Sequence, residues 1–317
     1  MFSRAATLNW CDKILRIPQP LQLRTESPVE FLSAVVTGMQ EYCPFTNMFD
    51  TLTRVQVGNK RWVSEDYDGR VYGKYLLRHV VAGHGGTCMN LSITLSHFLR
   101  ELDFNTAISL AVTRNKPKME MPHVVVVVKD VTAKGQTFLL DPGTRLAPMF
   151  NSVALHEISS VEPQFVGRSS FVDNYVSYHP ENHIFTRYYK PKGDKEMVHF
   201  YDFDALPMDC YDPETDIVDY SVFGSHPLYS IYASKAQKVT TFWRSNLTLV
   251  GYPQRRAVMF LRDKLITEQD DGTLDIKKIE SKDQLQLVKQ HFPNIPQQCV
   301  DEVLKIYAEA SLTPHQY

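Results

Sequence analysis

No stretch of this 317-residue chain approaches the roughly 20 consecutive apolar residues that span a bilayer, which argues against a helical membrane protein. Met1 to Ile17 alternates polar and apolar residues and lacks the apolar core of about 7–15 residues that marks a secretory leader. Charge of either sign is not in excess. Lys and Arg number 34 against 36 Asp and Glu, a formal net charge of -2. With no basic run and no basic helix face, this balance argues against nucleic acid or an acidic membrane surface as partner. The cysteines Cys11, Cys43, Cys88, Cys210 and Cys299 are scattered, and none forms a C-x-x-C pair. That argues against a disulfide framework and a zinc knuckle. Asn90-Leu91-Ser92 and Asn246-Leu247-Thr248 match the glycosylation pattern, but no secretory signal accompanies them. Internal repeats and low-complexity segments are also lacking. The expectation is a cytoplasmic globular protein that uses no metal.

Hydrophobic residues make up 43% and charged residues 22%, ordinary values for a soluble domain. The length allows about two domains and a sizeable core. Ser27-Pro28-Val29-Glu30 reads as a helix start, with Phe31, Leu32, Val35, Val36 and Met39 following at helical spacing until Cys43-Pro44. Tyr72 to Val81 reads as a second helix, broken at Gly83 to Gly86. A third follows Cys88, with Leu91, Leu95, Phe98, Leu99 and Leu102 on one face.

The pattern then changes. Ala107–Thr113, Val124–Lys129 and Thr137–Leu140 are short runs rich in Val, Ile, Leu and Thr, separated by polar and Gly segments. Gln164–Val166, His183–Tyr189 and Met197–Phe203 continue them, and an antiparallel sheet or barrel is expected. Beyond Pro207 the reading is mixed. Leu228–Tyr232 is helical or transitional, and Lys238–Phe242, Leu247–Tyr252 and Ala257–Leu261 are strands. Ser281 to Gln290 is a helix with Ser281 and Gln284 spaced as a capping box, and Gln297 to Glu309 is a last helix. Helices, then strands, then a mixed tail is an α+β order.

The chemistry centres on Gly83-His84-Gly85-Gly86-Thr87-Cys88. Cys88 stands where a glycine-rich turn enters a helix. Unsatisfied backbone N–H groups and the positive end of the helix dipole favour an anionic sulfur there and can hold an oxyanion. Gly85 and Gly86 allow the sharp turn. His123 opens a strand of five valines, and Asp141 closes another strand at Leu139-Leu140-Asp141-Pro142-Gly143. A base on one strand and an orienting carboxylate at the end of its neighbour complete a Cys-His-Asp constellation. The acidic stretch Asp202, Asp204, Asp209, Asp212, Asp216 and Asp219 fails calcium-loop spacing, because Leu206 and Pro207 stand where a ligand and Gly belong. It reads as a solvated loop. Phe45, Phe150, Tyr188 and Phe223 are candidate linings of an acceptor pocket, with core packing the competing reading.

These segments resemble the arylamine N-acetyltransferase family. Pro44-Phe45-Thr46-Asn47-Met48 is similar to the family's P-F-x-N-L, and Gly85-Gly86-Thr87-Cys88 to its R-G-G-x-C. Leu99-Arg100-Glu101-Leu102-Asp103-Phe104 is similar to L-x-x-L-G-F, His123–Val128 to H-V-x-L-x-V, and Phe138–Gly143 to Y-L-V-D-V-G. The resemblance covers most of the chain. It implies a helical domain over 1–104 with the nucleophile, a β-barrel over 105–206 with His and Asp, and an α/β lid over 207–317, around a cysteine-protease-like core. It also implies ping-pong acyl transfer. Cys88 would take an acyl group from acetyl-CoA or another acyl-CoA and pass it to an amine or related small nucleophile, with His123 moving protons and Asp141 orienting it. Phe45, Gly86, Thr87, Gly143 and Phe223 are the candidate substrate-binding residues.

Five positions depart from the family pattern. His84 replaces its Arg, Asn90 and Ser92 replace its Glu and Asn after the nucleophile, and Thr144-Arg145 replaces its aromatic-glycine pair. These border the nucleophile and leave donor and acceptor open. A transglutaminase-like thiol amidase, an amide synthase acting on a tethered chain, and a binding protein on the same scaffold are the alternatives.

Overall fold

The computed structural model describes residues 3–57, 70–72, 77–113, 121–144, 146–204, 211–212, 217–219 and 247–312. The sequence expectations at Phe223, Leu228–Tyr232, Lys238–Phe242 and Arg145 lie outside them.

Helices α1 (Arg4–Lys13), α2 (Pro20–Glu26) and α3 (Pro28–Tyr42) open the chain. The first two are not evident in the sequence. In α1 only Thr7, Trp10 and Cys11 are buried, too thin a stripe to stand out. Pro28 occupies the first turn of α3 as expected, but the Ser27 side chain makes no capping bond. Phe31, Leu32, Val35, Val36 and Met39 are all at or below 1% exposure and form the core face of α3. Strand β1 (Phe45–Thr46) and helix α4 (Met48–Val57) follow. Of the expected helix from Tyr72 to Val81, positions 73–76 lie outside the described residues. Tyr72 ends strand β2 (Arg70–Tyr72), and α5 covers just Arg78–Val81.

Helix α6 (Cys88–Glu101) buries Leu91, Leu95, Phe98 and Leu99. Each such side chain contributes about 1.5–3 kcal/mol on burial. Its C-terminal end is capped from outside, where Arg24 Nε donates to the Leu102 carbonyl at 2.8 Å. This helix packs across strands β3 (Asn105–Thr113) and β4 (Met121–Lys129). The helix covers one face of β4 and the sheet interior the other, so all five of Val124–Val128 are buried rather than alternate ones.

The sheet continues through β5 (Thr137–Leu140), β6 (Val153–Ala154), β7 (Gln164–Arg168), β8 (Val172–His179), β9 (Ile184–Pro191) and β10 (Val198–Asp204). Its order is β6-β5-β4-β3-β10-β9-β8-β7, with antiparallel pairing throughout. It curls into a nearly closed barrel. Side chains span the seam: Asn151 Nδ2, just before β6, donates to the Val166 carbonyl of β7 at 3.1 Å. The acidic stretch is not simply a solvated loop. Asp202 and Asp204 belong to β10, and Asp212 and Asp219 to the short strands β11 (Tyr211–Asp212) and β12 (Ile217–Asp219), which pair with each other, β12 also pairing with β2; Asp209 and Asp216 lie outside the described residues.

A five-stranded sheet joins β1 to the C-terminal strands β13 (Thr248–Gly251), β14 (Val258–Leu261), β15 (Lys264–Glu268) and β16 (Leu274–Lys278), in that order. Helix α7 (Ser281–His291) has Glu280 rather than Ser281 at its cap position, and no side-chain capping bond. Helix α8 (Gln297–Leu312) packs on α4, where Thr51 and Tyr307 share a 3.2 Å hydrogen bond. No described helix is long and apolar enough to cross a membrane.

Candidate active site

The turn before α6 is fixed by backbone contact. Gly86 N–H donates to the Pro44 carbonyl at 3.1 Å, and Thr46 N–H donates to Gly86 O at 2.9 Å. Gly85 has φ +91, and a Cβ there would lie 1.9 Å from the Pro44 carbonyl oxygen. Only glycine fits. Phe45 thus belongs to β1, 6% exposed within the main hydrophobic core, with its backbone bridged to Gly86. Thr87 is extended and caps α6, and Asn90 Oδ1 accepts from the Thr87 N–H at 3.1 Å and from its hydroxyl. Asn90 in the first turn therefore ties down the helix start. Cys88 follows as the first helical residue and is partly exposed.

Strand β4 brings His123 beside this sulfur. The Ser92 hydroxyl, one turn into α6, donates to the Val124 carbonyl at 2.9 Å and pins helix to strand next to His123. His123 is 6% exposed, and its Nε2–H donates to Asp141 Oδ1 at 3.0 Å. Cys88 also acts on the ring and favours its charged form. With Nε2 engaged by Asp141, Nδ1 is the ring nitrogen left for the sulfur. The three expected residues are therefore brought together in the order Cys, His, Asp. Gly143 lies against the nucleophile, and a Cβ there would stand 2.6 Å from Cys88 Cα and 2.7 Å from Cys88 Cβ.

Asp141 is wholly buried. Beyond His123, its other oxygen, Oδ2, accepts from Arg187 Nη1 at 2.6 Å and from Tyr201 Oη at 2.7 Å. Its backbone carbonyl accepts from Gln40 Nε2 of α3 at 3.0 Å. Burial alone would raise the Asp141 pKa, but the His123, Arg187 and Tyr201 partners outweigh it and hold it below the usual carboxylate value. Burial likewise would lower the His123 pKa. The Asp141 charge and hydrogen bond, with a smaller contribution from Cys88, outweigh burial and raise it to about 10. Tyr201 is pushed well above its ordinary value by burial first and the Asp141 charge second, so it remains a neutral donor.

Arg187 and Tyr201 are absent from the residues singled out in the sequence. Arg187 had a signal, a lone cation amid Ile184-Phe185-Thr186 and Tyr188 in a strand. Tyr201 had none. Of the other expected pocket residues, Phe150 and Tyr188 have their contacts elsewhere. Phe150 packs edge-on against Tyr252 at 5.7 Å, and Tyr188 lies beside His199 at 5.3 Å. Phe150 also lines a cleft of about 410 Å³ with Arg168, Lys192, Arg255 and Asp270, which contains none of the three. His84 has its ring 5.9 Å from both Phe49 and His79, and burial lowers its pKa. Thr144 donates to the Ala147 carbonyl at 3.2 Å. No cluster of three or more metal-ligating side chains exists among the described residues.

No protein-family profile and no curated protein matches the sequence. Solved structures do match. An arylamine N-acetyltransferase from Mycobacterium abscessus aligns over 96% of this chain and 97% of its own, with a TM-score of 0.65 at 14% identity. The Mycobacterium marinum enzyme in complex with CoA aligns over 94% of this chain and 98% of its own, with a TM-score of 0.61 at 13% identity. An arylamine N-acetyltransferase from Bacillus cereus with a Cys-His-Glu catalytic triad aligns over 90% of this chain and 97% of its own, with a TM-score of 0.61 at 14% identity. End to end, and at low sequence identity, this chain has the arylamine N-acetyltransferase fold.

Proposed function

We propose that this protein is a thiol acyltransferase that works in two half-reactions, with Cys88 as nucleophile, His123 as proton carrier and Asp141 as its orienting carboxylate. The observation that carries the reading is the Asp141–His123 hydrogen bond at 3.0 Å, with Cys88 acting on the same ring to favour its charged form. An imidazolium held by Asp141 is the natural counter-charge for a thiolate. The Cys88 sulfur attacks the carbonyl carbon of an acyl thioester, and the oxyanion forms beside the first turn of α6, where backbone N–H groups face it. As the donor's C–S bond breaks, His123 gives its proton to the departing thiolate. Cys88 now carries the acyl group as a thioester. An incoming amine attacks that carbonyl, His123 takes the amine proton, and the Cys88 thiolate leaves, restoring the starting pair.

An acyl-CoA is the proposed donor, supported by the fold shared with a protein solved in complex with CoA. A small amine or related nucleophile is the proposed acceptor. Phe45, Gly86, Thr87 and Gly143 surround the nucleophile's turn and are proposed to contact the substrates. The proposed location is the cytoplasm. Incubation with acetyl-CoA should add one acetyl mass to the intact protein, and Cys88→Ala should abolish the adduct while the fold is retained. Absence of an adduct with a panel of acyl-CoA donors, together with hydrolysis of a simple amide, would replace this reading with a thiol amidase.

A further inference from the structure

Among the described residues, Arg187 is the largest fully buried side chain. A guanidinium does not shed its proton, so burial obliges it to find compensation. Nη1 donates to Asp141 Oδ2 at 2.6 Å, while Nη2 donates to Asn174 Oδ1 at 2.8 Å and to the Ala147 carbonyl. Asn174 is itself anchored, its Nδ2 donating to the Pro148 carbonyl at 2.9 Å. The rings of Phe200 and Tyr201 lie 5.2 and 5.4 Å from the guanidinium carbon. The cation is thus clamped by β8, by β10 and by the segment after β5, with Nη1, one of its two terminal nitrogens, committed to Asp141.

We propose that Arg187 is a positioning residue of the Cys88–His123–Asp141 site: it locks one oxygen of Asp141 and leaves the other as the acceptor for His123. The inference rests on the acyltransferase reading above. Two physical arguments carry it. The first is orientation. Arg187 and Tyr201 both donate to Oδ2, which fixes the carboxylate plane and directs Oδ1 at Nε2. The second is charge. In the proposed cycle His123 becomes neutral once it has protonated the leaving thiol. A buried carboxylate whose one cation has discharged would tend to take up a proton, because burial disfavours its charge. Arg187 remains charged throughout, so Asp141 stays ionised and ready for the next imidazolium.

A buried ion pair can also be purely structural. The test therefore reads the rate of Cys88 alkylation by iodoacetamide against pH, followed at the Cys88 peptide by mass, which needs no acyl substrate. Wild type, Arg187→Gln, Asp141→Asn and the double variant are compared, with circular dichroism checking the fold. Arg187→Gln is expected to slow neutral-pH alkylation by about 10- to 100-fold, the range seen for groups that orient metal-ligating side chains. Its rate profile should move to higher pH. In the Asp141→Asn background the same substitution should add nothing, because Arg187 acts through that carboxylate. Should Arg187→Gln not fold, Arg187→Lys, which keeps the charge and loses the fork, carries the same comparison. An Arg187 variant as fast as wild type beside a slow Asp141→Asn overturns this inference alone. An equal factor in both backgrounds assigns Arg187 a scaffold role and also overturns it. A fast Asp141→Asn overturns the triad reading and the inference with it.

Discussion

Asp141→Asn changes one oxygen to an amide nitrogen, and the hydrogen-bond pattern determines where that nitrogen goes. Oδ2 receives two donors, Arg187 Nη1 and Tyr201 Oη, so the remaining carbonyl oxygen of Asn must face them. The new NH2 group then points at His123 Nε2, which must turn from donor to acceptor. The imidazole proton moves to Nδ1, the nitrogen that would otherwise take the Cys88 proton, and the ring loses its charge partner. The lost attraction is that of unit charges 3.0 Å apart. At an effective dielectric of about 20 it is about 5.5 kcal/mol, or close to four powers of ten in rate. The substitution also leaves the buried Arg187 charge without its counter-ion, a destabilisation of about 3–5 kcal/mol. Stopped-flow measurement of acetyl-enzyme formation from acetyl-CoA, beside a thermal melt, reads both effects. A folded Asp141→Asn protein that acetylates within about ten-fold of wild type would refute the tautomer argument.

Gly143→Ala should lower activity by about two powers of ten, because its Cβ would stand 2.6 Å from Cys88 Cα and displace the nucleophile. Acetylation rates compared with a thermal melt separate this from the overpacking cost of about 1–3 kcal/mol. Ser92→Ala removes the hydrogen bond to the Val124 carbonyl and leaves that carbonyl buried, so chemical denaturation should show a loss of about 1–3 kcal/mol. The stability profile with pH should be asymmetric. His123, raised from 6.5 to about 10 in the folded protein, contributes stability in full below pH 6.5 that is lost as pH rises toward 10. Asp141, held below its ordinary 3.8, contributes stability above that value that is lost on acidification below it. Melting temperatures of His123→Gln should therefore fall less than wild type between neutral and alkaline pH, and parallel curves would contradict the assigned shift.

The glycine-rich turn, the helix after Cys88 and the valine strand are local objects, and the sequence shows them directly. Gly85 is required where its Cβ would meet Pro44, and the Leu91–Leu95–Phe98 spacing marks one helix face. The weaker elements depended on partners. Strand β8, Val172–His179, is too polar to stand out alone, yet Asn174 and Ser177 are buried, Asn174 because Arg187 and Pro148 supply its hydrogen bonds. Strand β16 at the sheet edge and β15 beside it carry charged residues and become strands by pairing with β14 and each other. The apolar run from Tyr72 to Val81 reads as one helix, but Tyr72 pairs in a strand with Ile217 far along the chain, a partner no local pattern reveals.

By itself the sequence determined the nucleophile's setting and the order Cys88, His123, Asp141, since turn chemistry and side-chain periodicity act between near neighbours. The tertiary structure alone decided that these three meet and what surrounds the carboxylate. It brought β1 onto β13, laid α6 across β3 and β4, and closed the barrel until Arg187 from β9 and Tyr201 from β10 reached one oxygen of Asp141. A buried charge takes its meaning from what compensates it, and here that compensation comes from strands distant in the chain.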